Sequence, residues 1–98
     1  MNKKELEWQD VRKELNITEE EEEEIKLEIE LIEATIEARQ NSKLSQRDLS
    51  KKTGIKQPAI ARIESHSCSP QIATLIKMLH PMGYTLKVVP LKEIKKNK

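Results

Sequence analysis

The side chains best suited to binding chemistry lie in one stretch of the sequence, "SQRDLSKKTGIKQPAIARIES". Amide, guanidinium and ammonium groups donate hydrogen bonds to phosphate oxygens and to the edges of nucleic-acid bases. Groups of this kind on a short element predict a surface that contacts a polyanion. The polar side chains in question are Gln46, Arg47, Lys56, Gln57 and Arg62.

Residues that support catalysis or metal binding are scarce. His66 and Cys68 fall in a short predicted loop that offers no second group to orient a base, and His80 stands alone on the last predicted helix. Their spacing fits no metal site. We therefore predict neither an enzyme nor a metal or cofactor site, and interpret these residues as surface or loop residues.

Two short helices must position the polar stretch. Ser45 is a predicted N-cap with Asp48 as its capping-box partner, and Gly54 is expected to end this helix in a left-handed conformation. A second helix is predicted from about Gln57 to Glu64. Its inward side chains are predicted to be Ile60 and Ile63.

A long helix is predicted before this pair. Thr18 resembles an N-cap whose capping-box partner is Glu21, and the helix is expected to run to about Arg39 or Asn41. Two adjacent apolar stripes give it a wide face for packing, although its acidic first turns are expected to project from the core. The stripes are Ile25, Ile29, Ile32 and Ile36, and beside them Leu27, Leu31, Ala34 and Ala38.

A further helix is predicted after the pair. Ser69 is the expected cap, Pro70 the first helical residue, and the helix should end near Gly83. Its predicted inward face consists of Ile72, Leu75, Ile76 and Leu79.

Two short helices joined by a glycine-containing turn are the helix-turn-helix pattern, whose second helix enters the major groove of DNA. Gln46 and Arg47 open the first of the two helices, where backbone amides attract phosphate. The outward residues of the second helix suit base edges and phosphates. A small helical hairpin without a ligand is the alternative, but the charge of this region favours DNA binding.

Charge divides the 98-residue chain into two parts. Residues 1–37 carry a net charge of −9, whereas residues 38–98 carry +10, so the net charge of +1 conceals an acidic and a basic segment. Two segments of opposite charge indicate two kinds of partner. The single cysteine, the missing signal-peptide core and the lack of a membrane-spanning apolar run predict a cytoplasmic protein.

The stretch "LSQRDLSKKTGIKQPAIARIE" resembles the Xre-type helix-turn-helix family, which includes small phage repressors; the resemblance covers about residues 32–83. It implies a lambda-repressor-like fold. It also implies that Gln57 and Arg62 read base edges, that Ala59 touches a thymine methyl, and that Gln46 binds a phosphate and braces Gln57. Further contacts to DNA are expected from Arg47, Lys56 and Lys43.

The same resemblance places an internal ion pair between Arg39 and Glu64, with two solvated surface charges as the alternative. Two positions depart from the family pattern. Ser50 replaces a small alanine and adds a hydroxyl that needs a partner. Lys56 replaces a capping Ser or Thr, at a cost of roughly 0.5–2 kcal/mol, and could instead hold a phosphate.

The acidic N-terminus and "MGYTLKVVP" after the last helix together resemble HigA-type antitoxins of type II toxin–antitoxin pairs. This resemblance implies that residues 1–30 neutralise a small RelE-like ribonuclease while the protein represses its own operon. A ribonuclease surface that grips RNA is basic, so an acidic segment complements it. The predicted toxin contacts are Leu6, Trp8, Val11, Leu15, Glu22 and Glu23. The alternative is that the glutamates form a solvated helix start without a partner and that Trp8 packs back on the long helix.

The alternating residues of "YTLKVVP" predict a strand, and a single strand leaves its backbone groups unpaired. We expect it to pair with its copy in a homodimer, which would set two recognition helices about 34 Å apart on a palindromic operator. Addition to a toxin sheet is the rival. The predicted dimer contacts are Tyr84, Leu86 and Val88.

These inferences predict an all-α protein of five or six helices with a lambda-repressor-like helix-turn-helix and a short C-terminal dimerising strand. The predicted segments are residues 1–30 for a toxin, 31–83 for double-stranded operator DNA, 84–90 for the dimer and 91–98 as a basic tail. The other hypotheses are a stand-alone Xre-type repressor and an interaction module that never touches DNA.

Overall fold

A computed structural model describes residues 16–91, which form four α-helices and a 3-10 turn. The all-helical class is as predicted. The stretch "KKELEWQDVRKELN" predicts one further short helix, but all of it except its last residue lies outside the described residues. The described residues do not support a count of five or six helices. No helix in residues 16–91 is long and apolar enough to cross a membrane. The elements are α1 (Glu19–Asn41), α2 (Gln46–Thr53), α3 (Gln57–Glu64), α4 (Ile72–Leu79) and the turn His80–Met82.

The first turn of α1 is held by the predicted capping box. The Thr18 hydroxyl accepts the backbone N–H of Glu21 at 3.1 Å, and the Glu21 carboxylate accepts the backbone N–H of Thr18 at 3.1 Å. Four glutamates, Glu19–Glu22, occupy this turn, where negative charge is favoured by the helix dipole. The predicted start and end of α1 are both confirmed.

Burial along α1 differs from the prediction of a wide apolar face. The chain divides into two compact units, Met1–Leu31 and Ile32–Lys98. In the first unit Ile25, Leu27 and Ile29 of α1 are exposed by 42 to 51 %, whereas Leu31 is partly buried. In the second unit the buried α1 residues are Ile32, Thr35 and Ala38. Ile32 and Ala38 of the predicted stripes are buried, but Ala34 is exposed and the buried Thr35 belonged to neither stripe, so the face was located only in part. A stripe is buried only where another element covers it.

The cap and turn signals of α2 are confirmed. Ser45 and Asp48 form the full capping box, and Gly54 ends the helix with φ of 79°. Ser50, the hydroxyl that replaces alanine, donates to the Ile55 carbonyl at 2.6 Å, so it links α2 to the turn that follows. This bond supplies the partner that the sequence required.

A small apolar core holds the four helices of the second unit. Leu49 of α2, Ile60 of α3 and Met78 of α4 are completely buried, and they pack with Ile32 and Ile63. Both isoleucines of α3 point inward as predicted. Because α3 contributes its inward face to this core, its other face remains available to solvent.

The last α-helix differs from the prediction at its start and on its inward face. It begins after Gln71 rather than at Pro70, so Ser69 is not its N-cap. Its buried residues are Leu75, Met78 and Leu79, whereas Ile72 and Ile76, predicted to face inward, are exposed by 69 and 44 %. The buried face of this helix therefore differs from the predicted one by two residues lost, Ile72 and Ile76, and one gained, Met78.

Residues 84–90 form no strand within the described chain. The predicted dimerisation residues are placed in irregular backbone, with Tyr84 and Val88 exposed by 46 and 96 % and Leu86 partly buried. The alternation was real, but a strand requires a hydrogen-bonded neighbour, and the described residues provide none. The strand in the predicted fold is therefore not supported.

Candidate nucleic-acid interface

An ion pair between Arg39 of α1 and Glu64 of α3 holds the helices that carry the predicted DNA contacts. The guanidinium of Arg39 donates from Nε to the Glu64 carboxylate at 2.7 Å and from Nη2 to its second oxygen at 2.9 Å. Its Nη1 donates to the Leu44 carbonyl at 2.7 Å. The hydrogen bond to Glu64 raises the pKa of Arg39, although burial opposes the shift. This bidentate pair joins α1 to α3.

Glu64 also binds α2. The Gln46 side chain donates from Nε2 to Glu64 Oε1 at 2.9 Å, and Gln57 donates from Nε2 to Gln46 Oε1 at 2.9 Å. A continuous chain of hydrogen bonds therefore runs from Arg39 through Glu64 and Gln46 to the exposed amide of Gln57. Two polar residues from different helices are fixed side by side at the start of α3.

The four cationic side chains that the sequence predicts as DNA contacts are all exposed. Each lies at a helix end or connection: the turn between α1 and α2, the first turn of α2, the N-cap of α3 and the last turn of α3. Long, exposed cations of this kind suit the phosphate backbone of a nucleic acid. They are Lys43, Arg47, Lys56 and Arg62.

Lys56 occupies the N-cap position of α3, but its side chain makes no capping hydrogen bond. Its backbone is extended, with φ of −64° and ψ of 138°. In the first turn of α3, Pro58 has no N–H, and the N–H groups of Ala59 and Ile60 already donate to the Lys56 carbonyl at 2.9 and 3.2 Å. Few amides of this turn are therefore left for the oxygens of a bound anion.

Ala59 and Arg62 line a groove of about 360 Å³ beside α4. Lys77 of α4 lines the same groove, which brings another cation to the neighbourhood of Arg62. Sequence reasoning left Lys77 out because it lies outside the helix-turn-helix motif. Nothing in the sequence around Lys77 indicates that it lies beside the same groove as Arg62.

The remaining candidate residues do not join this group. Glu22 and Glu23 lie on α1 in the first unit, and Leu6, Trp8, Val11 and Leu15 lie outside the described residues. His66 bonds to Glu33 at 2.8 Å across the second unit. Residues 16–91 contain no cluster of three His, Cys, Asp or Glu side chains arranged to hold a metal ion.

Comparison with known proteins agrees with this geometry. A family model described as helix-turn-helix matches residues 36–89, which include α2, α3 and α4. The chain belongs to the Xre-type helix-turn-helix family. The family consists of DNA-binding regulators and is not a class of enzymes.

Two relatives of this Xre-type chain are similar over most of their length. A protein of Haemophilus influenzae described as an uncharacterized HTH-type transcriptional regulator is 42 % identical over 85 residues, which are 87 % of this chain and 86 % of the relative. A solved structure described as a toxin–antitoxin module from Streptococcus pneumoniae is 43 % identical with a TM-score of 0.62. That alignment covers 86 % of this chain and 92 % of the solved one.

Proposed function

We propose that this protein is an autoregulatory repressor that binds double-stranded operator DNA through α2 and α3. The observation that carries this proposal is the braced pair of Gln46 and Gln57, joined at 2.9 Å, on the two helices that also carry or adjoin exposed cations. Amide side chains read base edges, and cations on nearby turns contact phosphates and fix the register. Arg62 and Ala59 provide the remaining contacts to bases.

The salt dependence of binding tests the proposal. If each of the four exposed cations neutralises one phosphate, log K should fall with log[salt] at a slope of about −3.6 per subunit. Binding of the full chain to a pool of randomised duplexes, followed by anisotropy on the selected sequence, measures this slope. A slope near zero and no enrichment of any sequence would contradict DNA binding.

The sequence dependence of one variant shows whether Arg62 contacts a base or a phosphate, and a second variant serves as the control. Arg62→Ala should weaken binding to the selected duplex by roughly 1–3 kcal/mol and relax preference at one base pair. Lys26→Ala removes an exposed cation from the acidic part of α1 and should leave both affinity and slope unchanged. If R62A weakened all sequences equally, Arg62 would contact phosphate alone.

The proposed partner at the other end of the chain is a small basic ribonuclease, so that the protein acts as an antitoxin. Glutamates occupy the first turn of α1, and Ile25, Leu27 and Ile29 are exposed beyond them. An acidic helix with exposed apolar side chains suits a basic partner with an apolar groove. The similarity to a chain from a toxin–antitoxin module supports the same assignment.

Co-expression with the protein encoded by the adjacent reading frame tests the antitoxin role. Ile25→Ser together with Ile29→Ser should abolish protection while the fold is kept, because both side chains are exposed. Ile72→Ser changes an isoleucine that is also exposed, but on α4, and should still protect. Protection by all variants would place the toxin-binding surface elsewhere, and a neighbour without toxicity would favour a stand-alone repressor.

We also propose that residues 84–89 pair with a second copy of the chain. Tyr84, Val88 and Val89 are exposed in irregular backbone, and an antiparallel ribbon would pair that backbone and cover part of their surface. Val88→Asp should convert a dimer to a monomer in light scattering and weaken operator binding. If the Val88→Asp variant were still a dimer in light scattering, this interface would be excluded. If the variant stayed a dimer but no longer bound the toxin, the result would favour addition of this segment to a toxin sheet.

A further inference from the structure

Glu64 faces away from solvent, yet it touches the side chain that braces Gln57. The side chain of Glu64 is 7 % exposed, and one of its oxygens accepts from both Arg39 and Gln46. An ionised carboxylate can only accept hydrogen bonds. The group that Gln46 turns toward it must therefore be the NH2 group.

This requirement fixes the direction of the whole chain of hydrogen bonds. With its NH2 group on Glu64, Gln46 presents its oxygen to Gln57. Gln57 must then use one of its N–H groups on that oxygen. An amide orientation is assigned from its hydrogen-bond partners, and here the assignment starts from a carboxylate whose role is unambiguous.

The direction decides what Gln57 can offer to a base. An amide has two N–H donors and one oxygen, and one donor is already engaged on Gln46. The exposed amide therefore retains one donor and its oxygen. Adenine presents one acceptor and one donor in the major groove, whereas guanine presents two acceptors. The braced amide matches adenine and leaves one guanine acceptor without a donor.

We propose that Glu64 is a positioning residue that sets the base preference of Gln57 without touching DNA. The inference rests on the proposed binding of DNA by α3. It assigns adenine-over-guanine discrimination at one base pair to the polarity of the chain Glu64–Gln46–Gln57. Arg39 holds the Glu64 carboxylate in place but does not determine this polarity.

The matched variants Glu64→Gln and Arg39→Gln separate polarity from stability. Both remove the ion pair, but only E64Q introduces an NH2 group that can face Gln46. Gln46 can then present its oxygen to residue 64 and its NH2 group to Gln57, which leaves both N–H groups of Gln57 for guanine. R39Q retains the carboxylate and therefore the original direction.

The test uses the full-length chain and duplexes selected by the wild type from a randomised pool. The readout is the ratio of affinities for adenine and guanine at the base pair whose preference is lost in Gln57→Ala. Being a ratio, it does not depend on the fraction of each variant that is folded. E64Q should lower it by about tenfold, R39Q should keep it within about twofold, and E64Q should have no further effect in a Gln46→Leu background.

Several results would overturn the inference while DNA binding stands. These are an unchanged ratio in E64Q, an equal loss in R39Q, or a Gln57→Ala variant that changes no base preference. Failure of the proposed function itself looks different, because the wild type would then enrich no sequence and show no salt slope.

A measurement on the wild-type chain keeps the inference testable if E64Q does not fold. In NMR spectra the NH2 protons of Gln46 should show NOEs to the Hγ protons of Glu64. Contacts from those protons to the Hγ protons of Gln57 instead would show the reverse direction and overturn the inference.

Discussion

Removing Arg39 should destabilise the protein far more than removing an exposed arginine. In Arg39→Met, the Glu64 carboxylate loses both hydrogen bonds from the guanidinium, at 2.7 and 2.9 Å, and keeps only the one from Gln46. The side chains of the pair are 13 and 7 % exposed, so water cannot readily replace the lost partner. Breaking a buried pair from one side costs about 3–5 kcal/mol.

The expected magnitude is large relative to the stability of such a chain. A protein of this size has a free energy of unfolding of about 5–10 kcal/mol. With a urea slope of about 1.5 kcal/mol per M, R39M should lower the unfolding midpoint by about 2–3 M. Circular dichroism at the helical signal measures this shift, and an unchanged slope would show that the loss is in stability.

Two further variants make the prediction specific. Arg47→Met removes an exposed arginine of α2 and should change stability by less than about 0.5 kcal/mol. The double variant Arg39→Met with Glu64→Leu removes both charges, and it should be more stable than R39M alone because no unpaired carboxylate remains. If R39M cost less than about 1 kcal/mol, or if the two substitutions were additive, the pair would behave as a solvent-screened surface bridge and the reasoning would be wrong.

Three other predictions concern the core, the helix ends and pH. Leu49→Ala should lower the free energy of unfolding by about 2–5 kcal/mol, since Leu49 is completely buried, and urea unfolding measures this. Gly54→Ala should destabilise by about 1 kcal/mol at φ of 79°, whereas Lys43→Gly, at φ of 58°, should stabilise in thermal unfolding while weakening operator binding. The hydrogen bonds to Ser45 hold the pKa of Asp48 below its ordinary value of 3.8, so the cap stabilises fully above that value and its contribution is lost as pH falls through the folded pKa. The stability gap between wild type and Asp48→Ala should therefore be largest at neutral pH and close in acid; a constant gap would contradict the cap.

The elements that the sequence predicted well are those defined by local chemistry. The capping boxes at Thr18 and Ser45, and the left-handed glycine at Gly54, depend on residues within four positions of one another. These signals depend on residues close in sequence, and all three are present in the folded chain. The start of α1 and both ends of α2 followed from them.

The left-handed residues that follow α1 and α3 are not glycines, and the sequence did not predict their conformation. Lys43 and His66 adopt left-handed conformations with φ of 58 and 62°. Around each, the backbone closes in the same pattern, with Leu44 bonded to the Arg39 carbonyl and Ser67 to the Arg62 carbonyl. This is the Schellman arrangement, in which glycine is the usual residue. Nothing local marks a lysine or a histidine for that position, so tertiary packing must impose it.

At the start of α4, a local signal is present but does not determine where the helix begins. Ser69 and Pro70 carry a strong local signal for a helix start, yet α4 begins at Ile72. The core takes Leu75, Met78 and Leu79, and leaves Ile72 and Ile76 exposed. The choice between two possible apolar faces depends on what the other helices present, which periodicity alone does not contain.

The contact that sequence reasoning missed at the candidate interface is the one from Gln46 to Glu64. The family resemblance implied an ion pair between Arg39 and Glu64 and a contact between Gln46 and Gln57. It did not imply that the two interactions are connected. The structure makes them one, because a single Glu64 oxygen accepts from both Arg39 and Gln46. Under the proposed role of Glu64, stability and recognition depend on the same carboxylate. A substitution of Glu64 would then change both the stability of the fold and the donor pattern that Gln57 offers to a base. The two effects are measured separately, by the free energy of unfolding and by a ratio of affinities.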